Sequence, residues 1–95
     1  MGERQGTVAV TVRVLGRVQG VAFRWCCQAE AQRLGVTGWV RNEPDESVAG
    51  HFEGDRAAVE ELVAWCRQGP LYARVRHVAT TEATPTGDAS FRIRG

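Results

Sequence analysis

The stretch TVAVTVRVLGRVQGVAFR, Thr7 to Arg24, contains an alternating apolar run and then a short turn with a glycine at each end. Valines occupy every second position from Val8 to Val14, the pattern of a strand with one covered face, which predicts a first strand over residues 7–15. From Val21 onward apolar side chains recur at helical spacing, and Gly35 is placed to end the helix. A first helix is therefore predicted over residues 22–34.

The next segments predict a hairpin and a second helix. VTGWVRN and SVAGHFEG are two short apolar runs separated by a polar segment that contains proline, which predicts strands at 36–43 and 47–54. Asp55 is predicted to cap a helix that ends at QGP, residues 68–70. Positions predicted to face the core are Val36, Val40, Val48 and Phe52 in the hairpin and Val59, Leu62, Val63 and Cys66 in the helix.

Two more strands complete the pattern. ARVRHVATTE and SFRIR predict strands at 73–82 and 90–94, joined by the loop ATPTGDA, and the three-residue step from Val75 to Val78 predicts a β-bulge. The element order predicts an α+β ferredoxin-like sandwich, β-α-β-β-α-β plus a short C-terminal strand, with two helices on one face of an antiparallel sheet. We expect residues 1–95 to form a single domain, with residues 1–6 a flexible N-terminal tail.

Composition narrows the class of protein. All 12 basic residues are arginine and 11 residues are acidic, so the formal net charge of +1 creates no strong field for nucleic acid or membrane. Three cysteines, two of them adjacent, do not suggest a disulfide framework. MGERQG lacks the apolar core of a signal peptide, and no run has the length of a membrane span. We expect a cytoplasmic protein and take a monomer as the default.

The turn between the first strand and helix is a candidate anion site. Backbone N–H groups of Arg17 to Val21 can converge there, and the N-terminus of the first helix adds its free donors. Arg24, in the first helical turn, can grip a phosphate through two parallel hydrogen bonds. The motif lacks the Lys-Ser/Thr pair of a nucleotide P-loop. Ordinary turn chemistry and a solvated arginine explain the same residues, so spacing alone leaves both interpretations open.

Asn42 is a second candidate. It shares the parity of Val36 and Val40, so its side chain should leave the strand on the face that the helices cover and reach towards the turn. A carboxamide offers a donor and an acceptor and can orient a water molecule. The alternative is that Asn42 only opens the hairpin turn.

Four motifs together resemble the acylphosphatase family: GRVQGVAFR at residues 16–24, RLGVTGWVRN at 33–42, SVAGHFEG at 47–54 and GPLYARV at 69–75. The resemblance covers roughly residues 7 to 94. It implies hydrolysis of acyl phosphates to a carboxylate and inorganic phosphate, without a metal or cofactor, and a sheet order of 4-1-3-2 with an extra edge strand. No nucleic acid or membrane partner is implied.

The resemblance also implies site residues. Arg24 would be the catalytic arginine that binds the phosphoryl group, and Asn42 would position the attacking water. The phosphate-binding loop would consist of Gly16, Arg17, Val18, Gln19, Gly20 and Val21, with backbone amides doing most of the binding. No His, Asp or Glu lies in the motif to take the proton of the water, which leads to the hypothesis that a phosphoryl oxygen accepts it.

Two departures from the family pattern affect loops. Glu46 stands in DESV where the family usually has glycine, so that turn must be of another type or Glu46 must accept a strained backbone. GPLYARV has Leu71 where a second proline is common. Neither change touches Arg24 or Asn42.

Other chemistry-bearing residues are assigned structural roles. Cys27 is expected in the core and Cys26 at a partly exposed position, since no histidine lies nearby to activate a thiol. His51 and His77 are interpreted as ordinary strand residues, and Trp25 as covering neighbouring apolar surface.

Two other functions are alternatives for a domain of this fold. An RNA-binding domain of this fold carries a basic-Gly-aromatic signature that is absent here. A non-catalytic module that binds phosphate or carbamoyl phosphate, such as a detached domain of a larger maturation enzyme, has the same anion cradle and differs only in lacking turnover.

Overall fold

The computed structural model describes residues 7–95, and the tail predicted at residues 1–6 lies outside the described residues. Seven elements follow one another: β1 (Thr7–Arg17), α1 (Phe23–Leu34), β2 (Thr37–Asn42), β3 (Val48–Asp55), α2 (Arg56–Gln68), β4 (Arg74–Ala83) and β5 (Phe91–Arg94). Each predicted element is present, with bounds within two residues of those expected. Across residues 7–95, neither helix has the length and apolar character needed to cross a membrane.

The five strands form one sheet in the order β4-β1-β3-β2-β5. β1 is antiparallel to both of its neighbours, and β2 is antiparallel to β3, as predicted. The expectation of a fully antiparallel sheet is wrong at one edge, because β5 pairs with β2 in parallel. Residues 84–90 carry the chain from the β4 edge to the opposite edge, so β5 arrives in the direction of β2. The ferredoxin-like α+β fold is otherwise confirmed.

The core lies between the two helices and one face of the sheet. Val40, Val48 and Phe52, all predicted to face inward, have at most 1% of their surface exposed. α1 contributes three buried side chains and α2 contributes the whole stripe predicted for it: Phe23, Cys27 and Ala31, then Val59, Leu62, Val63 and Cys66. The burial of apolar surface on both helices is the main force that fixes them on the sheet.

The pairing of β1 with β4 contains a β-bulge at the position that the valine spacing predicts. Leu15 lies opposite His77, whereas the next residue, Gly16, lies opposite Val75, so Arg76 is the extra residue. After the bulge the two strands stay paired as far as Arg17 and Arg74. Gly16 and Arg17 therefore belong to β1, which is two residues longer than predicted.

The turn between β2 and β3 contains the strained residue expected from the sequence. Glu46 has φ 75°, a left-handed conformation that glycine adopts without strain. The N–H of Glu46 donates to the carbonyl oxygen of Glu43, and the N–H of Glu43 donates to that of Ser47. At the other end of β3, Asp55 occupies the N-cap position of α2 but makes no side-chain capping bond, so only the position of the predicted cap is confirmed.

The segment between β4 and β5 covers part of the sheet face that carries no helices. Glu53, on β3, accepts hydrogen bonds from the backbone N–H groups of Thr86 and Gly87 at 3.0 and 3.1 Å. His51 donates to the same carboxylate at 2.8 Å, and both side chains are buried. The sequence predicts an ordinary strand residue at His51, but its hydrogen bond to Glu53 helps to hold residues 84–90 against the sheet.

Candidate active site

The turn after β1 has an unusual backbone. Gly20 and Ala22 have φ values of 76° and 64°, both left-handed, and Ala22 immediately precedes α1. In the described range, residues 7–95, none of the amide N–H groups of residues 18–22 donates to a protein acceptor. Left-handed residues interspersed in a turn direct such groups into an anion-binding concavity, and a non-glycine residue held in this conformation is common at functional sites. We call residues 18–22 the cradle.

The two glycines of the turn meet different requirements. A Cβ on Gly16 would lie 2.2 Å from the carbonyl oxygen of Arg74, so the close approach of β4 requires glycine there. A Cβ on Gly20 would meet nothing within 4 Å, and its left-handed backbone alone favours glycine. Gly16 therefore supports the strand pair next to the cradle, and only Gly20 shapes the cradle itself.

Two side chains of the cradle hold it in place. Val18 is 1% exposed and anchors the turn in the core. The amide nitrogen of Gln19 donates to the carbonyl oxygens of Glu43 and Ser47, both at 2.9 Å. The family resemblance implies only a backbone role for Gln19. The reach of its side chain across the turn depends on the packing of two hairpin strands, which no local spacing indicates.

Arg24 is the second residue of α1 and is half-buried. Its Nη1 donates to the carbonyl oxygen of Gly95 at 3.4 Å, just beyond the end of β5. A Cβ on Gly95 would lie 4.0 Å from that of Arg41, the neighbour of Asn42 in the chain. This chain of contacts brings the guanidinium of Arg24 to the end of the sheet where β2 ends. In the described range no Asp or Glu side chain forms an ion pair with Arg24.

Asn42 is the last residue of β2 and lies opposite Val48 of β3. Its Oδ1 is buried and has no hydrogen-bond partner within residues 7–95. A buried polar atom without a partner costs roughly 1–3 kcal/mol, so this acceptor is an unusual feature for a side chain that merely opens a turn. The geometry thus favours the functional interpretation of Asn42 over the structural one.

Two of the acidic groups that follow Asn42 in the chain are paired with arginines. Glu43 accepts from Nε of Arg41 at 2.6 Å, and Asp45 accepts from Arg13 at 3.0 Å. Hydrogen bonds from the hydroxyl and the N–H of Ser47 lower the pKa of Asp45, and Arg13 adds to that effect. These carboxylates are therefore poorly placed to take up a proton from a water molecule beside Asn42.

Two cavities border the cradle. The larger, about 740 Å³, opens between Gly20–Ala22 and residues 71–74, and Arg17 also lines it. A smaller one of about 290 Å³ is lined by residues 16–19 and Glu46. Within the described chain, neither cavity is lined by Arg24 or Asn42. The structure thus places the predicted loop, Arg24 and Asn42 at one end of the sheet without enclosing them in one pocket.

The remaining chemistry-bearing residues lie elsewhere. Cys27 is buried in the core as predicted, and a hydrogen bond with Cys66, together with burial, raises the pKa of its thiol well above the usual value. Trp25 is 72% exposed, so it covers little of the neighbouring apolar surface.

One group of side chains consists of residue types that commonly bind metal ions. His51, Glu53 and Asp88 offer ligand atoms within 4.8 Å of one another. The oxygens of Glu53 already accept bonds from His51, Thr86 and Gly87, so these atoms fasten the 84–90 segment to the sheet. No local spacing indicates this cluster, because Asp88 lies 35 positions beyond Glu53 in a loop.

Comparison with known proteins agrees with the resemblance found in the sequence. The family profile described as acylphosphatase matches residues 10–93. An acylphosphatase of Nocardioides sp. is 55% identical over 86 residues, which cover 90% of this chain and 87% of the relative.

Solved structures agree as well. An acylphosphatase from Coxiella burnetii superposes with a TM-score of 0.94 at 33% identity, covering 99% of this chain and 100% of that one. An acylphosphatase from Bacillus subtilis gives 0.90 at 32%, covering 93% and 99%. The match extends over nearly the whole of each protein, and the chain belongs to the acylphosphatase family.

Proposed function

We propose that this protein hydrolyses the carboxyl–phosphate bond of acyl phosphates, giving a carboxylate and inorganic phosphate, at the end of the sheet where the cradle, Arg24 and Asn42 meet. Family membership supports the reaction class. The cradle and the two side chains supply what the reaction needs: donors for the phosphoryl oxygens and a holder for water.

The cradle and Arg24 bind the phosphoryl group in this proposal. The amides of residues 18–22 have no protein acceptor in the described range, and the guanidinium has no Asp or Glu partner there and makes one long bond, to Gly95. Hydrogen bonds to a charged group contribute roughly 1.5–3 kcal/mol each, so a few of them suffice to hold a small phosphate compound. Arg24 would exchange its long bond to Gly95 for two parallel bonds to the phosphate.

Asn42 holds the attacking water, and the observation that carries this step is the buried, unpartnered Oδ1. An oxygen in that state accepts a hydrogen bond from water and leaves the water's lone pair free for attack. The oxygen of the water forms a bond to phosphorus while the bond from phosphorus to the acyl oxygen breaks, and its electron pair leaves with the carboxylate.

The leaving carboxylate is a weak base and needs no proton as it departs. Charge in the transition state spreads over the phosphoryl oxygens, where donors already in place stabilise it. In this proposal the proton of the attacking water passes to a phosphoryl oxygen of the substrate. Pairing of Glu43 and Asp45 with arginines supports this route, since neither carboxylate is free to accept it. The products are a carboxylate and inorganic phosphate.

The deciding experiment measures phosphate release from benzoyl phosphate by the wild-type protein, Arg24→Gln and Asn42→Ala, with EDTA present. We expect hydrolysis by the wild type, loss of both binding and turnover in Arg24→Gln, and loss of turnover alone in Asn42→Ala. Absence of wild-type turnover, with inorganic phosphate still bound, would favour the non-catalytic binding module instead.

The cell compartment and assembly state are part of the same proposal. We propose a cytoplasmic monomer. The three free cysteines, of which Cys27 and Cys66 are buried side by side, support the reducing compartment. Sedimentation at micromolar concentration tests the assembly state, and a dimer would contradict it.

A further inference from the structure

Two different chain segments form the walls of the larger cavity beside the cradle. One wall is the cradle backbone at Gly20–Ala22, and the other is residues 71–74, between α2 and β4. The cavity holds about 740 Å³ and is continuous with the cradle. A molecule whose phosphoryl group sits in the cradle therefore has this groove as adjoining space for the rest of its structure.

The outer wall presents apolar side chains to solvent. Leu71 is 85% exposed and Tyr72 is 76% exposed, the highest exposures among the large apolar residues of the described chain. Their backbone is held by a turn in which the N–H of Ala73 donates to the carbonyl oxygen of Pro70 at 3.0 Å. Exposed apolar side chains on a fixed turn beside a cavity are a common sign of a ligand site.

Two arginines flank the groove and face each other across the strand pair. Arg17 of β1 and Arg74 of β4 are direct register partners, and both are exposed. Like charges placed directly opposite on neighbouring strands destabilise a sheet. In residues 7–95 neither arginine has a carboxylate partner. An anion between the two guanidinium groups relieves this repulsion.

The sheet order fixes which side of the cradle the groove occupies. Asn42 lies on β2, which is separated from β1 by β3, whereas Arg74 lies on β4, the neighbour of β1 on its other side. In phosphoryl transfer the attacking and leaving oxygens lie roughly in line on opposite sides of phosphorus. With the water held at Asn42, the leaving acyl group points away from β2 and towards the groove at β4.

We propose that this groove is the subsite for the acyl group and that it favours acyl phosphates carrying a second anionic group on an apolar or aromatic acyl chain. Leu71 and Tyr72 contact the apolar part, and Arg17 and Arg74 bind the second anion. The proposal rests on the proposed acyl phosphate hydrolysis and adds the class of acyl group to it.

A matched pair of substrates tests the charge preference. Benzoyl phosphate and 4-carboxybenzoyl phosphate have the same ring and differ by one carboxylate at the far end. The quantity measured is the ratio of kcat/KM for the second substrate to that for the first, at low ionic strength. Arg74→Gln is expected to lower this ratio about three- to fivefold, as for an exposed ion pair.

Two control variants separate a local contact from a general effect of charge. Arg74→Lys keeps the positive charge and should retain most of the preference. Arg76→Gln removes the same charge two residues along β4, at a side chain that does not line the groove, and should leave the ratio unchanged. An equal fall in Arg74→Gln and Arg76→Gln, or no fall in either, overturns the anion subsite.

A third variant tests the apolar wall. Tyr72→Ala should lower kcat/KM for benzoyl phosphate about five- to tenfold, since part of the ring contact is lost, and should leave acetyl phosphate unaffected. An equal loss on both substrates overturns the subsite.

The underlying activity is judged separately in the same assay. If the wild type hydrolyses benzoyl phosphate and Arg24→Gln does not, only the subsite is in question. If the wild type releases no phosphate, both proposals fall.

Discussion

The side-chain amide of Gln19 bridges two carbonyl oxygens of the β2–β3 turn, those of Glu43 and Ser47, at 2.9 Å each. Glu43 follows Asn42 directly in the chain. The cradle and the proposed water-binding residue are therefore coupled through one side chain, so that a shift of either segment moves the other.

Gln19→Ala tests this coupling. Two hydrogen bonds are lost, at roughly 0.5–1.5 kcal/mol each, so unfolding free energy should fall by about 1–3 kcal/mol. Turnover should fall about tenfold or more, since small misplacements at a site are costly in rate. Urea unfolding and steady-state kinetics on benzoyl phosphate measure the two effects. Gln32→Ala, at an exposed position of α1, should change neither; unchanged kinetics in Gln19→Ala would contradict the coupling.

Arg24→Lys tests whether geometry or charge binds the phosphoryl group. Lysine keeps the charge but lacks the planar fork that makes two parallel hydrogen bonds. We expect turnover to fall by about a hundredfold or more, the size of effect seen when one donor to developing charge is removed. The inhibition constant of inorganic phosphate should rise at the same time. A lysine variant with near-normal kinetics would show that charge alone suffices.

The contrast between β1 and the 84–90 segment shows what the sequence could predict. Local periodicity placed β1, α1 and the buried stripe of α2, because each depends on spacing within a dozen residues. The valine step at Val75 even predicted the bulge. The parallel pairing of β5 was missed because it depends on the path of a loop across the sheet, which no local pattern encodes.

The features of the candidate site also differ in whether local sequence predicts them. Residue type, parity and family resemblance predict Arg24, Asn42 and the turn as site residues, and these predictions depend on local sequence. Two other features depend on the register between strands that lie far apart in the chain. They are the hydrogen bonds of the Gln19 amide to the β2–β3 turn and the pairing of Arg17 with Arg74. The close approach of Gly16 to Arg74 likewise depends on the position of β4, which no local pattern indicates.

Glu53 predicts a specific pH dependence of stability. Burial alone would raise its pKa, but hydrogen bonds from Thr86, His51 and Gly87 outweigh burial and lower the pKa from 4.5 to about 2. A carboxylate whose pKa is lowered on folding stabilises the fold above its unfolded pKa and loses that contribution as pH falls through its folded pKa. The stabilisation, up to about 3 kcal/mol, should therefore disappear between about pH 4.5 and pH 2.

Glu53→Gln should be less stable than the wild type at pH 7, and the difference in unfolding free energy should shrink as pH falls through that window. Urea unfolding at several pH values measures it. Glu82→Gln, at an exposed position of β4, is the control and should follow the wild-type curve. A constant difference between Glu53→Gln and wild type from pH 7 to pH 2 would contradict the assignment.

Glu46→Gly is expected to stabilise the protein. Glu46 holds φ at 75°, and a left-handed backbone costs a residue with a Cβ roughly 1–2 kcal/mol that glycine does not incur. Glycine loses more chain entropy on folding, which offsets part of the gain, so the net increase should be about 0.5–1 kcal/mol. For a domain of this size that corresponds to a rise in Tm of about 2–8 °C. Glu60→Gly, the same substitution inside α2, should instead lower stability by about 1 kcal/mol. A fall in Tm for both variants would show that the side chain of Glu46 contributes contacts that outweigh its backbone strain.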